Sequence, residues 1–221
     1  MSLVGLLLRL QLVRRRSLAA WAVYLTVLAV LNAGPTGPVQ GSFAMTGAAL
    51  LAVSTWLVMA GTVCDQATTS MLAAVAGGPR RLHLLQAVSG LLAAVPLVVL
   101  APIWDVLAAD QPELGPALLL GVLSHLTAAL VGAGIGTLAS RPVTRDDAVA
   151  LLVGAGGCLL ALGVEGSSPF WPVFAALADG SARVTTAAVA CLGAVAWATV
   201  LTALAGAVAG RRRSYGARAR S

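Results

Sequence analysis

The side chains able to act as nucleophile, base or metal ligand are few: three cysteines, two histidines and eight acids in 221 residues. Ser124 and His125 are adjacent. On a helix they point about 100° apart, so the imidazole is not placed to take the hydroxyl proton. No glycine-flanked serine with a distant histidine completes an intramembrane hydrolase site. His125 is instead expected to hydrogen-bond inside a helix bundle, and His83, at the edge of an apolar run, to be solvated. Cys64, Cys158 and Cys191 are odd in number and lie within or beside apolar runs, the pattern of free thiols rather than of a disulfide framework or metal site. A phosphate-binding loop of the GxxxxGK[ST] type requires lysine, and all 14 basic residues are arginine. ATP chemistry is therefore expected on another polypeptide, and no cofactor site is expected in this chain.

The most chemically dense interval is DQATTSMLAAVAGGPRRLHL, Asp65 to Leu84. Asp65 is suited to cap a helix start, with Thr68 three positions on. Met71, Leu72 and Val75 make one small apolar face, and Gly77, Gly78 and Pro79 end the helix. Arg80 and Arg81 follow. An ordinary amphipathic connector on a membrane surface has the same pattern.

The rest of the chain must position this interval. Hydrophobic residues make up 59% and charged residues 10%, against roughly half and a quarter in soluble domains. Long apolar runs, each able to cross about 30 Å of hydrocarbon, predict an all-α integral membrane protein. The N-terminal segment is not expected to be a cleavable signal, because Leu6 to Leu8 precede Arg14, Arg15 and Arg16. Residues 1–16 are expected as an interfacial helix with Leu3, Leu6, Leu7 and Leu10 on one face. Six transmembrane helices are expected at about 17–33, 43–64, 82–104, 116–139, 146–164 and 184–210, with a basic tail at 211–221. Pro96 and Pro102 suggest a kink in the third span, and the acidic stretch 105–115 is expected as a loop. Asp146 and Asp147 suit the positive end of the fifth helix.

With the N-terminus placed in the cytoplasm, thirteen arginines lie inside and only Arg183 outside. Both termini and the 65–84 interval are then cytoplasmic. Arginines at span ends, rather than on one face, do not suggest nucleic acid. Glycine pairs such as Gly132 and Gly136, Gly206 and Gly210, or Gly154 and Gly157 would allow close helix approach, but glycine is frequent enough here for chance to produce them. Trp104, Phe170, Trp171 and Phe174 read as an outer aromatic belt, and Glu165 ends the fifth span.

The loop TTSMLAAVAGGPRRLHLL, Thr68 to Leu85, together with the six-span topology and amphipathic N-terminus, resembles the permease subunits of type-2 ABC exporters. Many relatives carry an acid near this helix start where the chain has Thr69 and Ser70. The resemblance implies a coupling helix between spans two and three that docks on a separate ATP-binding cassette subunit, which would hold ATP and Mg. It implies an interface formed by Asp65, Gln66, Thr68, Thr69, Met71, Leu72, Val75, Arg80 and Arg81. It implies pairing with a second permease copy or a related subunit, contact with membrane lipid, and residence in a bacterial cytoplasmic membrane. Short outer helices before span six would close the exit, here with Glu165, Phe170, Trp171 and Phe174. The implied function is export of a hydrophobic or amphipathic substrate such as a peptide, a lipid-like molecule or a natural product. A substrate-capture subunit of a vitamin importer and an immunity or scaffold protein without transport remain open alternatives.

Overall fold

A computed structural model describes residues 3–33, 38–62, 66–109, 114–140, 143–144 and 146–218, and the side chains of all of these except 66–67 and 209–218. These residues form nine helices: α1 Leu3–Val13, α2 Arg15–Leu31, α3 Val39–Gly61, α4 Gln66–Ala76, α5 Pro79–Ala108, α6 Leu114–Ala139, α7 Asp147–Gly163, α8 Trp171–Ala178 and α9 Val184–Arg218. No strand occurs among the described residues.

Four helices are long and apolar enough to cross a membrane: α3, α5, α6 and α9 as far as Val208. They fit a multi-pass membrane protein. Of the six expected spans, these four meet the length and composition of a membrane-crossing helix. α2 and α7 have 17 residues each, about 25 Å at 1.5 Å per residue, short of the hydrocarbon thickness of about 30 Å. Their ends explain the shortfall. α2 stops at Asn32, whose Nδ2 donates back to the Leu28 carbonyl at 3.0 Å. α7 begins only after Asp146, whose carboxylate accepts from Ala148 N at 2.7 Å and Val149 N at 3.3 Å.

α6 lies at the centre, with 72% of its apolar window buried, while α9 lies at the edge with 17%. α3 packs along most of α6, and α5, α7 and α9 complete the ring around it. Gly132 and Gly136 make the α3–α6 approach possible. A methyl at Gly132 would overlap the Leu51 carbonyl and the Ser54 hydroxyl, and one at Gly136 would sit 2.7 Å from the Thr55 carbonyl oxygen. The spacing dismissed as chance is therefore a packing seam at this pair, whereas Gly206 faces open space. Thr55 ties the seam, its hydroxyl lying 2.9 Å from the Gly132 carbonyl and 3.4 Å from Cys158 Sγ of α7.

One further expectation is corrected, and two helices run past the expected span ends. Asp105 belongs to α5 and is fully buried, not part of a loop. α5 continues as helix through Pro96 and Pro102 to Ala108. The tail is helical in backbone to Arg218.

α1 presents the expected face only in part, with Leu3 and Leu7 packed inward. Leu7 and Gln11 are buried, whereas Leu10 is 42% exposed. Gln11 Nε2 donates to the Leu57 carbonyl of α3 at 2.8 Å, and its Oε1 accepts from Ser89 of α5 at 3.1 Å. An amide that bonds two helices is more stable inside the bundle than an apolar side chain that lipid can cover equally well.

Candidate functional site

Arg14, Arg16, Arg80 and Arg81 gather at one end of the bundle. Arg14 Nη1 donates to the Ala60 carbonyl near the end of α3 at 3.2 Å. Arg16 lines a crevice of about 260 Å³ with Ser140 and Asp147, where α6 ends and α7 begins. Arg80 and Arg81 lie exposed in the first turn of α5.

α4 sits at this end. Ala73 and Ala76 are buried and pack with Leu7 of α1 and Leu82 of α5, with Leu3, Leu72 and Leu85 around them. Its stop is fixed by backbone geometry: Gly78 N bonds the Ala73 carbonyl at 2.8 Å and Gly77 N the Ala74 carbonyl at 3.2 Å. Gly77 has φ +80° and Gly78 φ +131°, conformations that side chains with a Cβ rarely adopt. Pro79 then opens α5, so two residues separate the helices.

The residues assigned to the coupling face divide. Met71 and Val75 point outward, 71% and 75% exposed. Leu72 is only partly exposed and turned toward the α1–α5 cluster. Thr68 is exposed and Thr69 half-buried. Asp65 lies outside the described residues, as does the side chain of Gln66.

His83, expected to be solvated, is 2% exposed, and neither ring nitrogen has a hydrogen-bond partner among the described residues. The reason is tertiary: α1 and α4 pack over the start of α5.

At the opposite end, polar groups from three helices converge on Thr46 of α3. Its hydroxyl lies 2.7 Å from Asp105 Oδ2 of α5 and 3.0 Å from His125 Nε2 of α6. Asp105 Oδ1 accepts from Asn32 Nδ2 at the end of α2, at 2.9 Å. The Tyr24 hydroxyl donates to the Thr46 carbonyl at 3.3 Å. Tyr24, Thr46, Asp105 and His125 have no exposed surface, and Phe43 sets its ring edge-on to His125 with centroids 6.0 Å apart. His125 is hydrogen-bonded within the bundle, as the sequence suggested. The order of groups is acid, hydroxyl, imidazole. A nucleophilic triad needs the imidazole in the middle and an accessible hydroxyl, so this is not one. Comparison with known protein families, curated proteins and solved structures gave no match.

Sequence reasoning missed Asp105, Thr46 and Asn32 as a group. The available signal was an acid within one turn of an apolar run containing no base, since an acid in that setting needs hydrogen-bond donors from other helices.

Glu165 is exposed in the turn after α7. Phe170 is fully buried and reaches Gly47 of α3. Trp171 and Phe174 are partly exposed on α8, their rings 6.1 Å apart. α8 folds back on α3 through Val173 and Leu177, which pack with Val39 and Phe43.

Proposed function

We propose that the chain is the membrane-spanning permease subunit of an ATP-driven ABC exporter, coupled through α4 to a separate ATP-binding subunit. The observation that carries this reading is the two-sided character of α4. Ala73, Ala76 and Leu72 hold the helix on the bundle, while Met71 and Val75, one turn apart, are left outward, and Arg80 and Arg81 in the next helix are exposed as well. A short helix fixed on one side and apolar on the other suits insertion into a groove of a second protein. The gathering of arginines at this end supports its assignment to the cytoplasm. α2 and α7 would complete six spans, their termini reaching the interface with local bilayer thinning. The exposed apolar faces of α7, with Leu151, Leu152, Leu159 and Leu160, and of α9 would meet lipid or the second permease subunit. The substrate class favoured is a hydrophobic or amphipathic molecule.

The test is co-expression of the full chain with any ATP-binding subunit encoded beside it, followed by purification in detergent and reconstitution. The expected result is a stable complex whose ATP hydrolysis drives outward movement of substrate. A chain that never carries an ATP-binding protein through purification would overturn the reading.

A further inference from the structure

The hydrogen-bond geometry around Thr46 determines how many protons the buried cluster holds. The Gly121 carbonyl can only accept, so its contact with His125 Nδ1 at 2.8 Å places a hydrogen on that nitrogen. Thr46 has one hydroxyl hydrogen, yet its oxygen contacts both Asp105 Oδ2 and His125 Nε2. With Asp105 ionised and His125 neutral, that hydrogen serves one contact. The other then has two lone pairs facing each other, beside a buried negative charge with no cationic partner among the described residues. Turning the hydroxyl to the Ser42 carbonyl, 2.8 Å away, leaves both contacts without a hydrogen.

One further proton resolves the conflict in either of two ways. On Asp105, Oδ2–H donates to the Thr46 oxygen and the Thr46 hydroxyl donates to Nε2. On His125, Nε2–H donates to the Thr46 oxygen and the hydroxyl donates to the carboxylate. The two forms interconvert within the cluster. The Oδ2–H bond breaks as a new Oγ1–H bond forms, the old Oγ1–H bond breaks as Nε2–H forms, and no net charge is gained. Asn32 donates to Oδ1 in both forms.

We propose that Asp105, Thr46 and His125 form a proton-binding site, and that the bound proton clasps α3, α5 and α6 together at the end of the bundle opposite Arg14, Arg16, Arg80 and Arg81. Asp105 lies within one turn of the end of α5 at Ala108, so the proton exchanges with the compartment on that side. Other titratable groups facing the cluster are limited. α2 contributes Tyr24, whose hydroxyl is taken up by the Thr46 carbonyl. Glu165, Asp179 and Arg183, on the α7–α9 side, are exposed. Asp110 and Glu113 follow α5 and lie outside the described residues. The proposal does not depend on the permease reading.

The test uses the full chain in lipid bilayers with labelled histidine and aspartate, read by solid-state magnetic resonance at neutral pH. The chain has two histidines, so the His125 signals are those lost in His125→Asn. An imidazolium, or a protonated Asp105 carboxyl, is expected. A neutral imidazole together with an ionised Asp105 would overturn the site. The clasp is tested by amide hydrogen exchange over 39–46 and 102–109, corrected for the intrinsic rate. Once the proton begins to leave, exchange in the wild type should rise by up to about tenfold per pH unit, the limit for one linked proton. Asp105→Asn donates to Thr46 and accepts from Asn32 without a titratable proton, and should show no such rise. An equal rise in this variant, or none in the wild type up to about pH 9, would overturn the clasp. If Asp105→Asn does not fold, Thr46→Val should abolish the response and Thr46→Ser preserve it.

Discussion

Met71 and Val75 allow docking to be separated from folding, because Leu72 between them faces the other way. Fully burying a methionine or valine stabilises by about 1.5–3 kcal/mol, and about seven-tenths of each of these two side chains is still exposed. A groove that covers both would gain about 2–4 kcal/mol. At 1.4 kcal/mol per tenfold, removing that contribution weakens binding by about 30- to 700-fold. The double variant Met71→Asp/Val75→Asp should lose at least this much, since two carboxylates would have to enter an apolar site. Its own stability should change little, because substitutions at exposed positions cost about 0.5 kcal/mol or less. Leu72→Asp should do the reverse and lower thermal stability by about 2 kcal/mol or more, because it removes packing against Leu7, Ala73, Ala76 and Leu82 and places a charge there. The assay pairs thermal unfolding of each variant in detergent with titration of the proposed ATP-binding partner onto the chain in nanodiscs. Wild-type affinity in the double variant would refute docking through this face. A wild-type melting curve for Leu72→Asp would refute the inward orientation of Leu72.

Gly132→Ala should destabilise by about 1–3 kcal/mol, because the new methyl overlaps α3 backbone. Gly206→Ala, which meets nothing within 4 Å, should be neutral or stabilising by up to about 1 kcal/mol; comparative melting in one detergent reads both. Asp146→Ala should cost about 1 kcal/mol through loss of the α7 cap, seen as faster amide exchange in the first turn of that helix. Gln11→Leu should cost about 1–3 kcal/mol, because it strands buried groups on α3 and α5. Protease cleavage near residue 14 should then become faster.

Helix positions were legible wherever local chemistry marks an end. Asp146 starts α7, and the Gly77–Gly78–Pro79 sequence both stops α4 and starts α5. The orientation of each helix was much less legible. In lipid, an apolar side chain is equally at home facing the bilayer or the bundle, so the leucines of α1 carried no directional signal and Gln11 carried all of it. Polar residues near span ends misled for a related reason. Asp105 and His83 both lie close to the ends of α5, where hydration is the default expectation. Their burial is imposed by partners far along the chain: Asn32 and Thr46 for Asp105, and the packing of α1 and α4 for His83. The two faces of α4 were only half legible, because neighbouring apolar residues at i and i+1 look alike until one of them finds the cluster of Leu7 and Leu82.

The bonds of Gln11 set an order of events during synthesis. Its partners Leu57 and Ser89 lie 46 and 78 residues further along the chain. At about 5–20 residues per second, α1 waits roughly 4–16 s after its own emergence before Ser89 exists. During that interval the amide can bond the Leu57 carbonyl once α3 is made, while its oxygen still lacks the Ser89 hydroxyl. α1 is thus made well before α5 and completes its bonds only once α5 has arrived, and anything that holds or occupies it meanwhile delays closure of the α3–α5 end of the protein.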